Sequence, residues 1–147
     1  MRSLSLLALV LVFSGCAELE GLLPAAFNGC SNVVSYTFGR SLSGTLTPSD
    51  CTLPEDRSKR VDYYELRVTE PINEARIRAG DGDLDPLMIL YRRDGTELGR
   101  NDDVTPVLNT AARVQRRLEP GTYVIAVTSS GPNQIGSYGL SAVVQQP

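Results

Sequence analysis

An all-β, antiparallel sandwich of about eight strands is the fold class that this 147-residue sequence predicts. Short runs rich in β-branched and aromatic residues recur along the chain, separated by clusters of Gly, Pro, Asn and Asp at the spacing of a sandwich. Apolar and polar residues alternate within the runs with period two, and no helical period persists. Two dipeptides, Asp94-Gly95 and Pro120-Gly121, supply the chemistry of sharp turns.

Taken in order, strands are expected near 33–38, 44–47, 61–69, 72–79, 87–92, 112–118, 122–129 and 137–144. In the third, Tyr64, Leu66 and Val68 alternate with Tyr63, Glu65 and Arg67, so the first set should face the core. The same period turns Ala75, Ile77 and Ala79 inward in the fourth. Near the C-terminus Tyr123, Ile125 and Val127 share one face, as do Tyr138, Leu140, Ala142 and Val144. The sixth strand fits the pleat poorly, because burying Val114 and Leu118 also sends Arg116 inward. Either a bulge resets the alternation or Arg116 reaches a carboxylate at the sheet edge. The segment 48–60 reads as a long charged loop.

The first sixteen residues, MRSLSLLALVLVFSGC, are of another kind. Arg2 precedes an apolar run from Leu4 to Phe13, followed by Ser14, Gly15 and Cys16. The run is too short to span a bilayer as a mature helix and has the order of an export signal. VFSGC resembles the lipobox of bacterial lipoproteins, with Phe13 where Leu is usual, which implies acylation of Cys16 as the first mature residue. Cleavage by an ordinary signal peptidase is the alternative. The expected organisation is a signal peptide over 1–15, a lipidated cysteine and tether over 16–32, and a sandwich over 33–147. Leu22, Leu23 and Phe27 of the tether could dock on that sandwich. Acylation of Cys16 leaves Cys30 and Cys51 as an even pair, expected to form a disulfide in an oxidising compartment. Two free or intermolecular thiols are the other outcome, and two thiolates without His are too few for a structural zinc site.

Loss of Arg2 with the leader leaves 13 basic side chains against 17 acidic ones, and Lys59 is the only lysine. A mildly acidic chain gives no support for nucleic-acid binding or for attraction to an anionic membrane surface. The absence of His removes Ser-His-Asp and Cys-His nucleophiles, and neither a Walker phosphate loop nor a GxSxG elbow occurs. No catalytic residue and no organic cofactor is therefore expected. Asp81, Asp83 and Asp85 alternate in GDGDLDP, followed by Asn101, Asp102 and Asp103, and grouped hard oxygen ligands are what Ca²⁺ requires. The resemblance to an EF-hand loop fails at Pro86 and Arg92, which stand where Gly and the bidentate Glu are needed. Alternating Asp and Gly can equally solvate a turn and cap backbone N–H groups. Asp62 and Asp85 fit that structural role, leaving Asn101, Asp102 and Asp103 as the better ligands for a metal or a partner.

The series GTLT, VDYYELRV, DPLMILYRRDGTELGRNDD, LEPGTYVIAVTSS and GSYGLSAVV, in this order, resembles the bacterial pre-peptidase C-terminal domain over about 35–144. The resemblance implies a jelly-roll-like sandwich that usually follows a secreted peptidase as a non-catalytic appendage. Some relatives bind calcium near the start of the module, where this chain has only Glu18 and Glu20. The expected function is a lipid-anchored envelope module, favouring an outer membrane because Ala17 is not the Asp of inner-membrane retention. It would present an interaction surface to a protein or polymer through the loops 48–60, 81–86, 101–109 and 131–136. The alternatives are an accessory subunit of a separately encoded peptidase, acting as chaperone, inhibitor or docking module, and a purely structural envelope lipoprotein.

Overall fold

The computed structural model describes residues 25–27, 29–103 and 110–145, so the leader and Cys16 lie outside it. One 3-10 turn, Ala25–Phe27, leads into β1 (Val33–Tyr36), β2 (Ser41–Leu46), β3 (Cys51–Leu53), β4 (Asp56–Val68) and β5 (Ile72–Gly80). There follow β6 (Pro86–Arg92), β7 (Glu97–Asn101), β8 (Ala112–Leu118), β9 (Gly121–Ser129) and β10 (Gly136–Val144). They form two sheets, ordered β1-β4-β9-β6-β7 with β3 also on β4, and β2-β10-β5-β8. Except at the hairpins β3–β4 and β6–β7, every connection crosses from one sheet to the other. That alternation makes the sandwich jelly-roll-like.

Ten strands among the described residues therefore stand where about eight were expected. The additional β3 has three residues, too few for a period to show, and β7 has the polar sequence ELGRN. Both are hairpin partners, selected by the strand beside them. Pairing with β3 also makes β4 begin at Asp56, within what reads as a charged loop. One pairing departs from the antiparallel expectation, since β1 runs parallel to β4 from Val33 opposite Tyr63 to Tyr36 opposite Leu66. The Pro120-Gly121 turn joins β8 of one sheet to β9 of the other, whereas Asp94-Gly95 makes the β6–β7 hairpin, with Gly95 at φ +92°.

The main core lies between the sheets and contains Tyr64, Leu66, Val68, Ala75, Ile77, Ala79, Tyr123, Ile125, Val127, Tyr138, Leu140 and Ala142. These are the inward residues that the alternation selects. Val144 is the exception, being exposed at the end of β10. Arg116 is exposed on the outermost strand β8, opposite Ala75, and the bulge lies in β5 between Ile72 and Ala75. The bulge shifts the phase of β5 and leaves β8 regular, so Arg116 stays on the face of Val114 and Leu118 and is exposed because β8 is the edge strand of its sheet.

A second core covers the outer face of the larger sheet. Phe27 and Cys30 bury Tyr63, Ile89, Tyr91, Val124 and Ala126 there, and the Phe27 ring stands edge-on to Tyr63 and Tyr91 at centroid distances of 5.3 Å. Cys30 and Cys51 are joined in a disulfide with their Cα atoms 6.1 Å apart, in agreement with the expected pairing. An aromatic anchor and a crosslink thus fasten the end of the tether to the sheet, Phe27 docking as the sequence allows. A Cβ on Gly95 would come within 2.5 Å of Ala26 Cβ, so this glycine serves close approach as well as the turn.

Candidate functional site: loops gathered at one end

The strand registers bring the expected loops to a common end of the sandwich. Leu46 stands opposite Gly136, Gly80 opposite Gly139, and Pro86 opposite Ser129, while Val61, where β4 begins to pair with β9, stands opposite Thr128. The loops after β2, β5 and β9 and the β3–β4 bulge consequently converge. Asn101 opposite Met88 and Ala112 opposite Ala79 bring the flanks of 101–109 to the same end, although 104–109 lie outside the described residues.

Hydrogen bonds of side chains and of backbone fasten these segments together. Asp83 accepts from the Ser137 amide and hydroxyl, and Leu84 donates its amide to the Ser137 carbonyl at 3.0 Å. The two Ser137 donors hold the Asp83 carboxyl below the usual carboxylate range. The Asp85 carboxylate accepts from the Ser130 hydroxyl, and its carbonyl from the Ser130 amide at 2.9 Å. Lys59 Nζ donates to the Ser130 carbonyl at 2.7 Å, and Asn133 N to the Ser58 carbonyl at 2.8 Å. Asn133 holds φ +55°, a left-handed conformation that Asn tolerates better than most residues. At Gly82 a Cβ would lie 2.8 Å from the Tyr138 amide nitrogen and closer still to the Ser137 carbonyl. Only glycine lets the β5–β6 loop lie this near the start of β10.

The aspartates nominated for calcium are thereby separated in role. Asp81 pairs with Arg78, which holds its carboxyl low; Asp83 and Asp85 bind Ser137 and Ser130. Asn101 accepts from the Arg113 amide at 2.9 Å and donates to the Asp103 carbonyl at 3.0 Å, closing the exit of β7. Asp102 is exposed and Asp103 half-buried. Among the described residues no three acidic, His or Cys side chains come together as a metal-holding group. One carboxylate oxygen of Asp85, Oδ1, is buried without a hydrogen-bond partner among them.

Two small cavities flank Ile135, which is 54% exposed at the end of the β9–β10 loop, just before β10 begins. One, of about 250 Å³, is lined by Asp83, Leu84, Asp85, Gln134 and Ile135. Its neighbour, of about 240 Å³, is lined by Pro48, Arg57, Ser58, Arg60, Asn133 and Ile135. An apolar side chain at the entry of β10 thus separates an acidic hollow from a basic one. Sequence reasoning nominated the segments but missed Ile135, Ser58, Ser130 and Ser137. Serines in a turn-rich sequence carry no local mark of the partner they will meet, and Ile135 belongs to no alternating run.

No family model matches this chain, and no curated protein matches it. Among solved structures it is similar to the pre-peptidase C-terminal domain of a collagenase from Bacillus anthracis, with TM-score 0.57 and 15% identity over 75% of this chain and 93% of that one. It is also similar to PliG of Aeromonas hydrophila, a periplasmic inhibitor of g-type lysozyme, with TM-score 0.49 and 13% identity over 78% and 98% of the two chains. The chain has the fold of the pre-peptidase C-terminal domain.

Proposed function

We propose that this sandwich, with the fold of a pre-peptidase C-terminal domain, is a non-catalytic binding module, exported and anchored by lipid at Cys16, that engages a protein or polymer partner through its gathered loops. The observation that carries the reading is the bonding of the loops to one another: Asp83 to Ser137, Asp85 to Ser130, Lys59 to Ser130 and Asn133 to Ser58. A surface held in this way loses little further freedom when a partner settles on it, which favours affinity. The Cys30–Cys51 bond supports export, since such bonds persist in oxidising compartments. A chain without His lacks the usual general base, which supports a role in binding.

The experiment is site-specific photo-crosslinking in the producing cell, with the reactive group at Ile135 or, as control, at exposed Glu119 on the turn between β8 and β9 at the opposite end. A discrete adduct at 135 and none at 119 is expected. Equal labelling at both ends, or none, overturns the loop reading, and turnover of a peptide or glycan by the purified protein overturns the non-catalytic one. Recovery of a peptidase in the adduct would make the module an accessory of that enzyme. Mass spectrometry of the mature protein tests the anchor directly, through an acyl-modified Cys16.

A further inference from the structure

We propose that the basic hollow beside Ile135 receives a polypeptide C-terminus, taking its carboxylate on Arg57 and Arg60 and its aliphatic side chain against Pro48 and Ile135. The proposal rests on the reading of the gathered loops as the binding surface and names the chemistry of the ligand there.

A strand irregularity builds the hollow. Thr52 pairs with Arg60 and Leu53 with Asp56, so residues 57–59 of β4 have no counterpart on β3. Such an excess residue run bends the strand and redirects its side chains. It places Arg57, Ser58 and Lys59 toward the β9–β10 loop, where the Ser58 carbonyl and Lys59 Nζ hold that loop in turn. The charge is local, because the whole chain is acidic, with net charge −3.

The donors are available. Arg57 is exposed, and its side chain forms no hydrogen bond or ion pair among the described residues. Arg60 commits Nη1 to the Asp50 carbonyl at 3.0 Å, which orients its guanidinium and leaves other N–H groups of the fork. Guanidinium groups bind carboxylate through charge-assisted hydrogen bonds. On the far side of Ile135, Asp83 and Asp85 line the neighbouring cavity and repel an anion, confining it to the basic hollow.

Size and lining select a chain end. At about 240 Å³ the hollow falls below the roughly 300–1,000 Å³ of sites for drug-sized ligands, which suits a single residue. A terminal aliphatic residue carries carboxylate and apolar side chain on one Cα, matching arginines and apolar walls together. A phosphate has no apolar part. An internal Asp or Glu carries its charge at the tip of the side chain that would occupy the apolar wall.

The test is titration of the purified, isotope-labelled protein with N-acetyl-leucine at low salt, followed by amide NMR, with N-acetyl-leucinamide and inorganic phosphate as comparison probes. Saturable shifts at Ser58, Asn133 and Ile135 with the acid alone are expected, weakening with salt and about tenfold in Arg57→Gln, the loss of one charge-assisted contact. Arg57→Gln should keep the wild-type spectrum elsewhere. Equal binding of the amide, equal binding of phosphate, shifts remote from the hollow, or no saturation overturns the proposal. A partner adduct at residue 135 that survives Arg57→Gln would retain the loop reading and overturn this one alone.

Discussion

Asp62 and Tyr138 meet across the sandwich, where the Tyr138 hydroxyl donates to the carboxylate at 2.6 Å and also bonds the Tyr64 hydroxyl. Burial pushes the Asp62 pKa above 3.8, and the bond from Tyr138 opposes that rise. A carboxyl whose folded pKa is raised contributes stability that is complete below the unfolded pKa and lost as pH rises through the folded one. The window therefore opens near 3.8 and extends upward. Asp62→Asn keeps an acceptor for Tyr138 and removes the titration, so melting temperatures from pH 3 to 7 should favour the variant progressively as pH rises; the opposite trend would contradict the assignment. The ring reaches Asp62 only because Gly44 lies beneath it, where a Cβ would sit 2.5 Å from the Tyr138 hydroxyl oxygen. Gly44→Ala should cost about 1–3 kcal/mol by overpacking, measurable by denaturant unfolding. The inward position of Tyr138 is legible from alternation, but not its partner, because Asp62 is 76 residues away in sequence.

Among the elements, the segment leading into β1 is the one whose role the sequence understated. Period two separates Tyr63 from Tyr64 and cannot show that another part of the chain covers the Tyr63 face. Phe27 and the Cys30–Cys51 bond supply the cover. A crosslink spanning 21 residues contributes about 3 kcal/mol in the chain-entropy account. Replacing both cysteines with serine should lower stability by about that amount, and native-state hydrogen exchange should quicken first in β1; uniform exchange would mean that the cover is not a separate unit. The β5–β6 loop offers a second test. If Asp83 serves as a loop fastener, Asp83→Ala lowers the melting temperature equally in millimolar Ca²⁺ and in chelator, and Ca²⁺ leaves the wild type unmoved. A calcium-dependent rise in the wild type that the variant lacks would return Asp83 to the ligands.

At the scale of the molecule the two ends of the sandwich differ. The gathered loops occupy one, and Ala26 rests on the Gly95 turn at the other. With Cys16 acylated, as proposed, only eight residues separate the anchor from Ala25, a reach of at most about 30 Å. The Gly95 turn should then face the membrane and Ile135 the space beyond it. On vesicles carrying a lipid-borne quencher, a dye at position 94 is expected to be quenched and one at 135 spared. Equal quenching would contradict the opposed arrangement.

The sequence by itself determined the sandwich, the inward faces of its strands and the cysteine pair, because alternation, turn dipeptides and cysteine number act over a few residues or by count. Tertiary structure alone decided that β1 runs parallel to β4, that Phe27 covers the Tyr63 face, and that Asp83 and Asp85 meet Ser137 and Ser130. These are encounters between segments 36 to 54 residues apart or joined through a shared sheet, set by register and crossover. The two hollows beside Ile135 belong with them: their walls come from different loops, and no single loop carries the pattern.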